Sequence, residues 1–344
     1  MNIQTLLCPA DAAGVARAAG LLRRGEIIAL PTETVYGIAA DARNGSAVKK
    51  IFAAKGRPQD NPLIVHIDDV KMLPGLVGDF PERAQLLAAA FWPGPLTIIM
   101  PRGPEVADEC CAGLDTVGIR MPSHPVVRQV IEASGCAFAA PSANLSGRPS
   151  PTTAQDVLAD MDGRLPLILD GGPCAVGVES TVVSVAGEKP VLFRPGYITL
   201  EDLERALGEE VELSPAILEK LAEGEVARSP GMKYKHYAPK ADITILEGDF
   251  AQFKAYLAAH ADERPACLCF TGEGAQLEAM GFPCVEYGRE GDGADQSKHI
   301  FRCLRALDEQ GDRVVYARCP RKDGVSMAVY NRLVRAAAFR VVAL

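Results

Sequence analysis

Residues 31–66 read PTETVYGIAADARNGSAVKKIFAAKGRPQDNPLIVH, preceded by the apolar run Ile27-Ile28-Ala29-Leu30 and closing on Leu63-Ile64-Val65. Both apolar runs are short, rich in aliphatic residues and flanked by proline, so the segment reads as strand, polar loop, helix, basic loop, strand, one βαβ unit. Asn44 or Ser46 can cap the helix, Val48, Ile51 and Phe52 recur at helical spacing, and Gly56 stops it after Lys55. The loop Thr32-Glu33-Thr34 offers hydroxyls just past a strand's carboxyl end, where open α/β sheets place ligands. The loop from Lys55 to Pro62 sets two cations and two amides on a backbone stiffened by two prolines. Lys55 alone reads as a helix-end charge and Arg57 alone as a solvated loop residue; together with the prolines and amides, they suit a phosphate ester.

Outward from this stretch, the chain of 344 residues is 48% hydrophobic and 23% charged, which gives a globular protein of about two domains. A formal charge of −8 argues against a broad basic surface wrapped on nucleic acid, and so against a dedicated RNA-binding module. The ten cysteines form no CxxC pair, and several lie inside apolar runs; they read as reduced thiols of a cytosolic protein. No apolar run approaches the ~20 residues of a membrane span, and the N-terminus lacks a secretory pattern. Neither a GxxxxGKS/T loop nor a GxGxxG turn occurs.

Further strands end on polar residues. The stretch 113–124 reads as a strand closing in Arg120, which either pairs with a structural carboxylate or holds an anionic ligand in its planar fork. Ala137–Ala140 leads into a loop crowded with Ser142, Asn144 and Ser150; Thr152 with Gln155 suits a capping box. Ser180 heads another strand and Arg194 closes the next. Thr34, Arg57, Arg120, Ser142, Ser180 and Arg194 all fall at strand ends or adjoining loops, and one cleft could collect them. After a helix near residues 201–207 comes an acidic stretch, then the basic run Ser229-Pro-Gly-Met-Lys-Tyr-Lys-His236-Tyr-Ala-Pro-Lys240, which reads as a linker suited to lie over phosphates. Beyond it, strands alternate with helices, as in a small parallel α/β domain.

The series PTETVYG, KGRPQDNPLIVH, FWPGPLT, GLDTVGIRMPSHP, APSANLSGRPSPT, GVESTVV, LFRPG and SPGMKYKHYAP resembles the YrdC-like threonylcarbamoyl-AMP synthases in their longer, two-domain form. The resemblance implies an α/β fold: a YrdC-like twisted mixed sheet with helices around an open cleft over residues 1–207, a linker over 208–240, and a Rossmann-like parallel domain over 241–344. It implies condensation of L-threonine, bicarbonate and ATP, with Mg²⁺, into threonylcarbamoyl-adenylate and pyrophosphate in the cytoplasm. Separate transferase proteins then act on tRNA, with weak or no direct tRNA binding by this chain and no membrane partner. Carried over by position, threonine contacts fall on Thr34, His66, Arg120, Ala140 and Ser180. Nucleotide contacts fall on Arg57, Asn61, Thr116, Ser142, Ser150, Arg194 and His236, and Lys55 with Arg57 carries the catalytic charge. Whether His66 is a base or a hydrogen-bond partner stays open.

Overall fold

The structure, a computed structural model, describes residues 3–219, 237, 240–311 and 314–344. Of these, residues 3–146 and 150–219 form one compact unit; residues 147–149, 237, 240–311 and 314–344 form a second.

The first unit is built on eleven strands: β1 (Leu6–Pro9), β2 (Ile28–Leu30), β3 (Gly37–Asp41), β4 (Ile64–His66), β5 (Leu96–Pro101), β6 (Thr116–Arg120), β7 (Phe138–Ala139), β8 (Leu167–Asp170), β9 (Thr181–Ser184), β10 (Val191–Arg194) and β11 (Glu212–Leu213). They join in the order β1-β8-β2-β3-β7-β4-β6-β5-β9-β10-β11. Parallel and antiparallel pairs alternate through the middle: β4 with β6 is parallel, β6 with β5 antiparallel, β5 with β9 parallel and β9 with β10 antiparallel. This is the expected mixed sheet.

The opening stretch differs from a simple βαβ unit. Gly37-Ile-Ala-Ala-Asp41 is itself a strand, antiparallel to β2, and β3 and β7 separate β2 from β4. Alanine and glycine have little intrinsic strand preference, and β3 is almost wholly buried, so packing on both faces makes it a strand. The helix Gly45–Lys55 behaves as its sequence suggests: Asn44 accepts from the Ala47 N–H, and Gly56 closes it at φ 61°. The capping box lies one residue later than expected, on Thr153 and Asp156, because the Thr153 backbone is extended and supplies the cap. Helices Ala12–Arg23 and Pro125–Ser134 bury Val15, Ala18, Leu22, Val127, Val130 and Ile131 against Ile28, Leu30 and Leu169. Each fully buried aliphatic side chain there contributes about 1.5–3 kcal/mol.

The sheet also continues past residue 207. β11 pairs with β10 and a 3-10 turn follows at Pro215–Ile217, so part of the expected linker belongs to the first unit. The rest of the linker, His236 included, lies outside the described residues.

The second unit holds β12 (Asp242–Glu247), β13 (Ala266–Cys269), β14 (Cys284–Glu286), β15 (Val314–Arg318) and β16 (Val341–Ala343), all parallel, in the order β14-β13-β15-β12-β16. Four of these strands are legible in the sequence; β16 is a short, half-exposed edge strand without a strong pattern. All ten cysteines are free thiols. Among the described residues no helix is long and apolar enough to cross a membrane.

Candidate active site

One register row crosses five adjacent strands. His66 on β4 lies opposite Arg120 on β6, Arg120 opposite Thr97 on β5, Thr97 opposite Val182 on β9, and Val182 opposite Arg194 on β10. Directly paired residues project from the same face of a sheet, so two arginines, a histidine and a hydroxyl share one surface. Arg194 reaches it through a register shift between Leu192 and Arg194; without that bulge Phe193 would hold the position.

The row two residues back, Ile64, Gly118 and Ile99, supplies an apolar floor. With Pro62, Leu63, Thr97, Thr116 and Val182 it lines a small cleft. Gly118 keeps that floor open, since a Cβ there would lie 3.0 Å from Thr97 Cγ2 and close to Ile99 and Ile64. Thr116, at the start of β6, stands at its edge.

Arg120 is 4% exposed. Its Nη1 donates to Thr34 Oγ1 at 2.8 Å, its Nε faces the Gly94 carbonyl at 3.4 Å, and Nη2 lies 2.7 Å from Glu33 Oε1. Of the two readings open for this arginine, the structural carboxylate is therefore present, and it is Glu33. Burial alone would raise the Glu33 carboxyl; the charge and hydrogen bond of Arg120, with the peptide groups of Glu33 and Ser123, outweigh it and hold the group below its ordinary range. Thr32 donates to the Val35 carbonyl at 2.7 Å and lies 2.8 Å from Thr34 Oγ1. With its own proton spent, Thr32 receives that of Thr34, and Thr34 accepts from Arg120.

Burial, reinforced by the neighbouring Arg120 charge, pushes His66 down to about 3, so its ring is neutral near pH 7. Its Nδ1 lies 3.3 Å from the Ile64 carbonyl, which favours the Nδ1–H tautomer and leaves Nε2 as an acceptor. Ala140, 9% exposed, hangs on the same strand through its N–H to Ile64. Ser180 is fixed by Thr97 Oγ1 at 2.8 Å and by Arg194, whose Nη2 and Nε bond its hydroxyl and carbonyl at 3.1 and 3.0 Å.

The basic loop forms a second group. Arg57, half-buried, donates to the Asn61 and Pro62 carbonyls at 3.2 and 3.3 Å. The Asn61 side chain is 1% exposed, and neither its amide nitrogen nor its oxygen has a hydrogen-bond partner. An orphaned buried amide costs about 1–3 kcal/mol, which a ligand's polar atoms would recover.

Lys55 differs from its expected part as a phosphate-neutralising cation. It is 2% exposed, and its ammonium donates to the carbonyls of Ser142 and of Asn144, the latter at 2.6 Å. Burial and the nearby Arg57 charge press its pKa well below the usual lysine range, against the pull of Asp160 and Glu179. Its charge is spent inward, on the backbone of the loop that carries Ser142. Ser142 in turn bonds Asn144 Oδ1 at 2.5 Å, and Ser150 bonds the buried carboxylate of Glu179 at 2.5 Å.

Sequence reasoning does not single out Glu33, Thr97 or Glu179 as site residues. Thr97, a lone hydroxyl in the apolar run Leu96–Met100, and Glu179, an acid beside Ser180, were the available signals.

A mixed α/β sheet whose strand ends deliver arginines, ordered hydroxyls and an unsatisfied amide around an apolar floor defines a small-molecule site of the anion-binding class. A family described as "Telomere recombination" matches residues 20–196, and one described as "Threonylcarbamoyl-AMP synthase, C-terminal domain" matches residues 198–338. The chain belongs to the threonylcarbamoyl-AMP synthase family. The Threonylcarbamoyl-AMP synthase of Bacillus subtilis is 44% identical over 333 residues, covering 95% of this chain and 94% of its own. That of Pyrococcus abyssi is 41% identical over 329 residues, covering 94% of each. The crystal structure of P. abyssi Sua5 complexed with L-threonine superposes with a TM-score of 0.90 at 37% identity over 100% of both chains.

Proposed function

We propose that the protein condenses L-threonine, bicarbonate and ATP into threonylcarbamoyl-adenylate, releasing pyrophosphate. The observation that carries this is the register row His66–Arg120–Thr97–Val182–Arg194 above an apolar floor, which offers one charged position at each side. In this reading threonine's carboxylate meets the open edge of Arg120, beside Thr34, Ala140 and Ser180, with neutral His66 as a hydrogen-bond partner. The nucleotide takes the Asn61, Thr116 and Arg194 side, with Arg57, Ser142 and Ser150 toward its phosphates.

The amine of threonine adds to the carbon of CO₂ derived from bicarbonate. A carbamate oxygen then attacks the α-phosphorus, and the bond to the β-phosphate oxygen breaks as pyrophosphate leaves. Two anions must be brought together, so fixed cations and donors supply most of the acceleration without a covalent nucleophile. Lys55 acts from behind, holding the Ser142–Asn144 loop.

Among the described residues no group of three acidic, histidine or cysteine side chains is arranged to hold a metal. Mg²⁺ belongs in this reading to the phosphate oxygens and water, as is usual for that ion, and no protein residue is assigned to it. The product is a mixed anhydride that hydrolyses readily, so separate transferase proteins consume it to modify tRNA in the cytoplasm. The net charge of −8 supports weak or no tRNA binding by this chain itself.

The test is pyrophosphate release from Mg-ATP that depends on both threonine and bicarbonate. Release independent of threonine, or none from folded protein, refutes the reading.

A further inference from the structure

The site contains an acid to which the reaction gives no task. Glu33 is 7% exposed and sits in the loop after β2, where its backbone carbonyl accepts from the Val176 N–H at 2.8 Å. Its carboxylate lies 2.7 Å from Arg120 Nη2. A guanidinium has five N–H groups. Two of those on Arg120 donate to Gly94 and Thr34, and Glu33 Oε1 lies against Nη2 as its ion-pair partner. Three N–H groups are left without a hydrogen-bond acceptor, one on Nη1 and both on Nη2.

We propose that Glu33 is a positioning residue for the amino-acid substrate: it clamps the Nη2 edge of Arg120 from the protein side, so that the remaining N–H groups meet the substrate carboxylate in a fixed plane. The inference rests on Arg120 as the carboxylate partner of threonine. An arginine on a flexible stem must lose rotamer freedom when it binds, and a clamp made on folding removes that cost from the binding step. The carboxylate also offsets the burial of the Arg120 charge before substrate arrives. Both oxygens of Glu33 are sealed from solvent, so it works through Arg120 and does not touch substrate.

The experiment is steady-state kinetics of the full chain with Glu33→Gln, alongside circular dichroism to establish folding. The side chain keeps its shape and loses its charge. The KM for threonine is expected to rise about tenfold to a hundredfold, with kcat at saturating threonine and the KM for ATP nearly unchanged. A residue that merely stabilised the fold would lower the unfolding temperature and leave the threonine KM alone. If Glu33→Gln does not fold, Glu33→Asp retains the charge at a shorter reach, and its threonine KM is expected to rise by a smaller factor. A threonine KM at or below that of the wild type, in whichever variant folds, overturns the proposal. Failure of the underlying reading is distinguishable, because wild-type protein would then release no pyrophosphate in response to threonine.

Discussion

Replacing Lys55 with methionine separates two accounts of this lysine. Methionine is of similar length but cannot donate, so the carbonyls of Ser142 and Asn144 lose their shared donor. Each stranded carbonyl costs about 1–3 kcal/mol. Removing an ammonium that is itself expensive to bury returns part of this, for a net destabilisation of about 2–4 kcal/mol. In urea, that corresponds to a midpoint lower by about 1 M or more. Activity should fall as the loop carrying Ser142 loosens, chiefly through a raised KM for ATP. Arg57→Met is the matched control: it is half-buried, so its midpoint should stay near the wild type while threonine-dependent pyrophosphate release drops by about 10²–10³. A Lys55→Met protein with the wild-type urea midpoint and a hundredfold loss of kcat would refute the argument, and would return Lys55 to direct contact with phosphate.

Three further outcomes are expected. His66 has a native pKa of about 3 against an unfolded value of 6.5, so between those limits only the unfolded chain binds the proton; stability is lost as pH falls from 6.5 toward 3, and urea midpoints of His66→Gln should decline less steeply on acidification than those of the wild type. Gly118→Val fills the floor between Ile64 and Ile99 and should weaken ATP binding, measured by calorimetry, by about tenfold while sparing threonine. Asn44→Ala removes the cap of the helix Gly45–Lys55 and should cost about 1 kcal/mol by thermal unfolding, with both KM values unchanged.

Much of this architecture can be read from the chain itself. Strand ends closing in Arg120 and Arg194 are visible because an arginine after a β-branched run stands out, and the helix at Gly45–Lys55 carries both of its stops. β3 is not visible in the same way: Gly37-Ile-Ala-Ala-Asp41 has no alternation, since both of its faces are buried and its pairing is set by distant β7. The separation of β2 from β4 is likewise a long-range matter, decided by which strand fills the gap. Lys55 shows the other limit. A lysine in the last turn of a helix satisfies the helix dipole wherever its tip goes, and only the fold reveals that the tip turns inward to a loop nearly ninety residues on. Glu33 carries no signal of its own within its motif, because its significance comes from an arginine eighty-seven positions later.

The displaced register at the end of β10 carries a consequence for how this gene product tolerates change in length. Phe193 is the residue the bulge adds: were it deleted, Arg194 would follow Leu192 directly and fall opposite Val182 in a regular ladder, on the surface it already holds, whereas one further residue inserted beside it would carry Arg194 out of the row. The row therefore bears the loss of a residue at this point better than the gain of one, and substitutions at Phe193 can be absorbed by repacking.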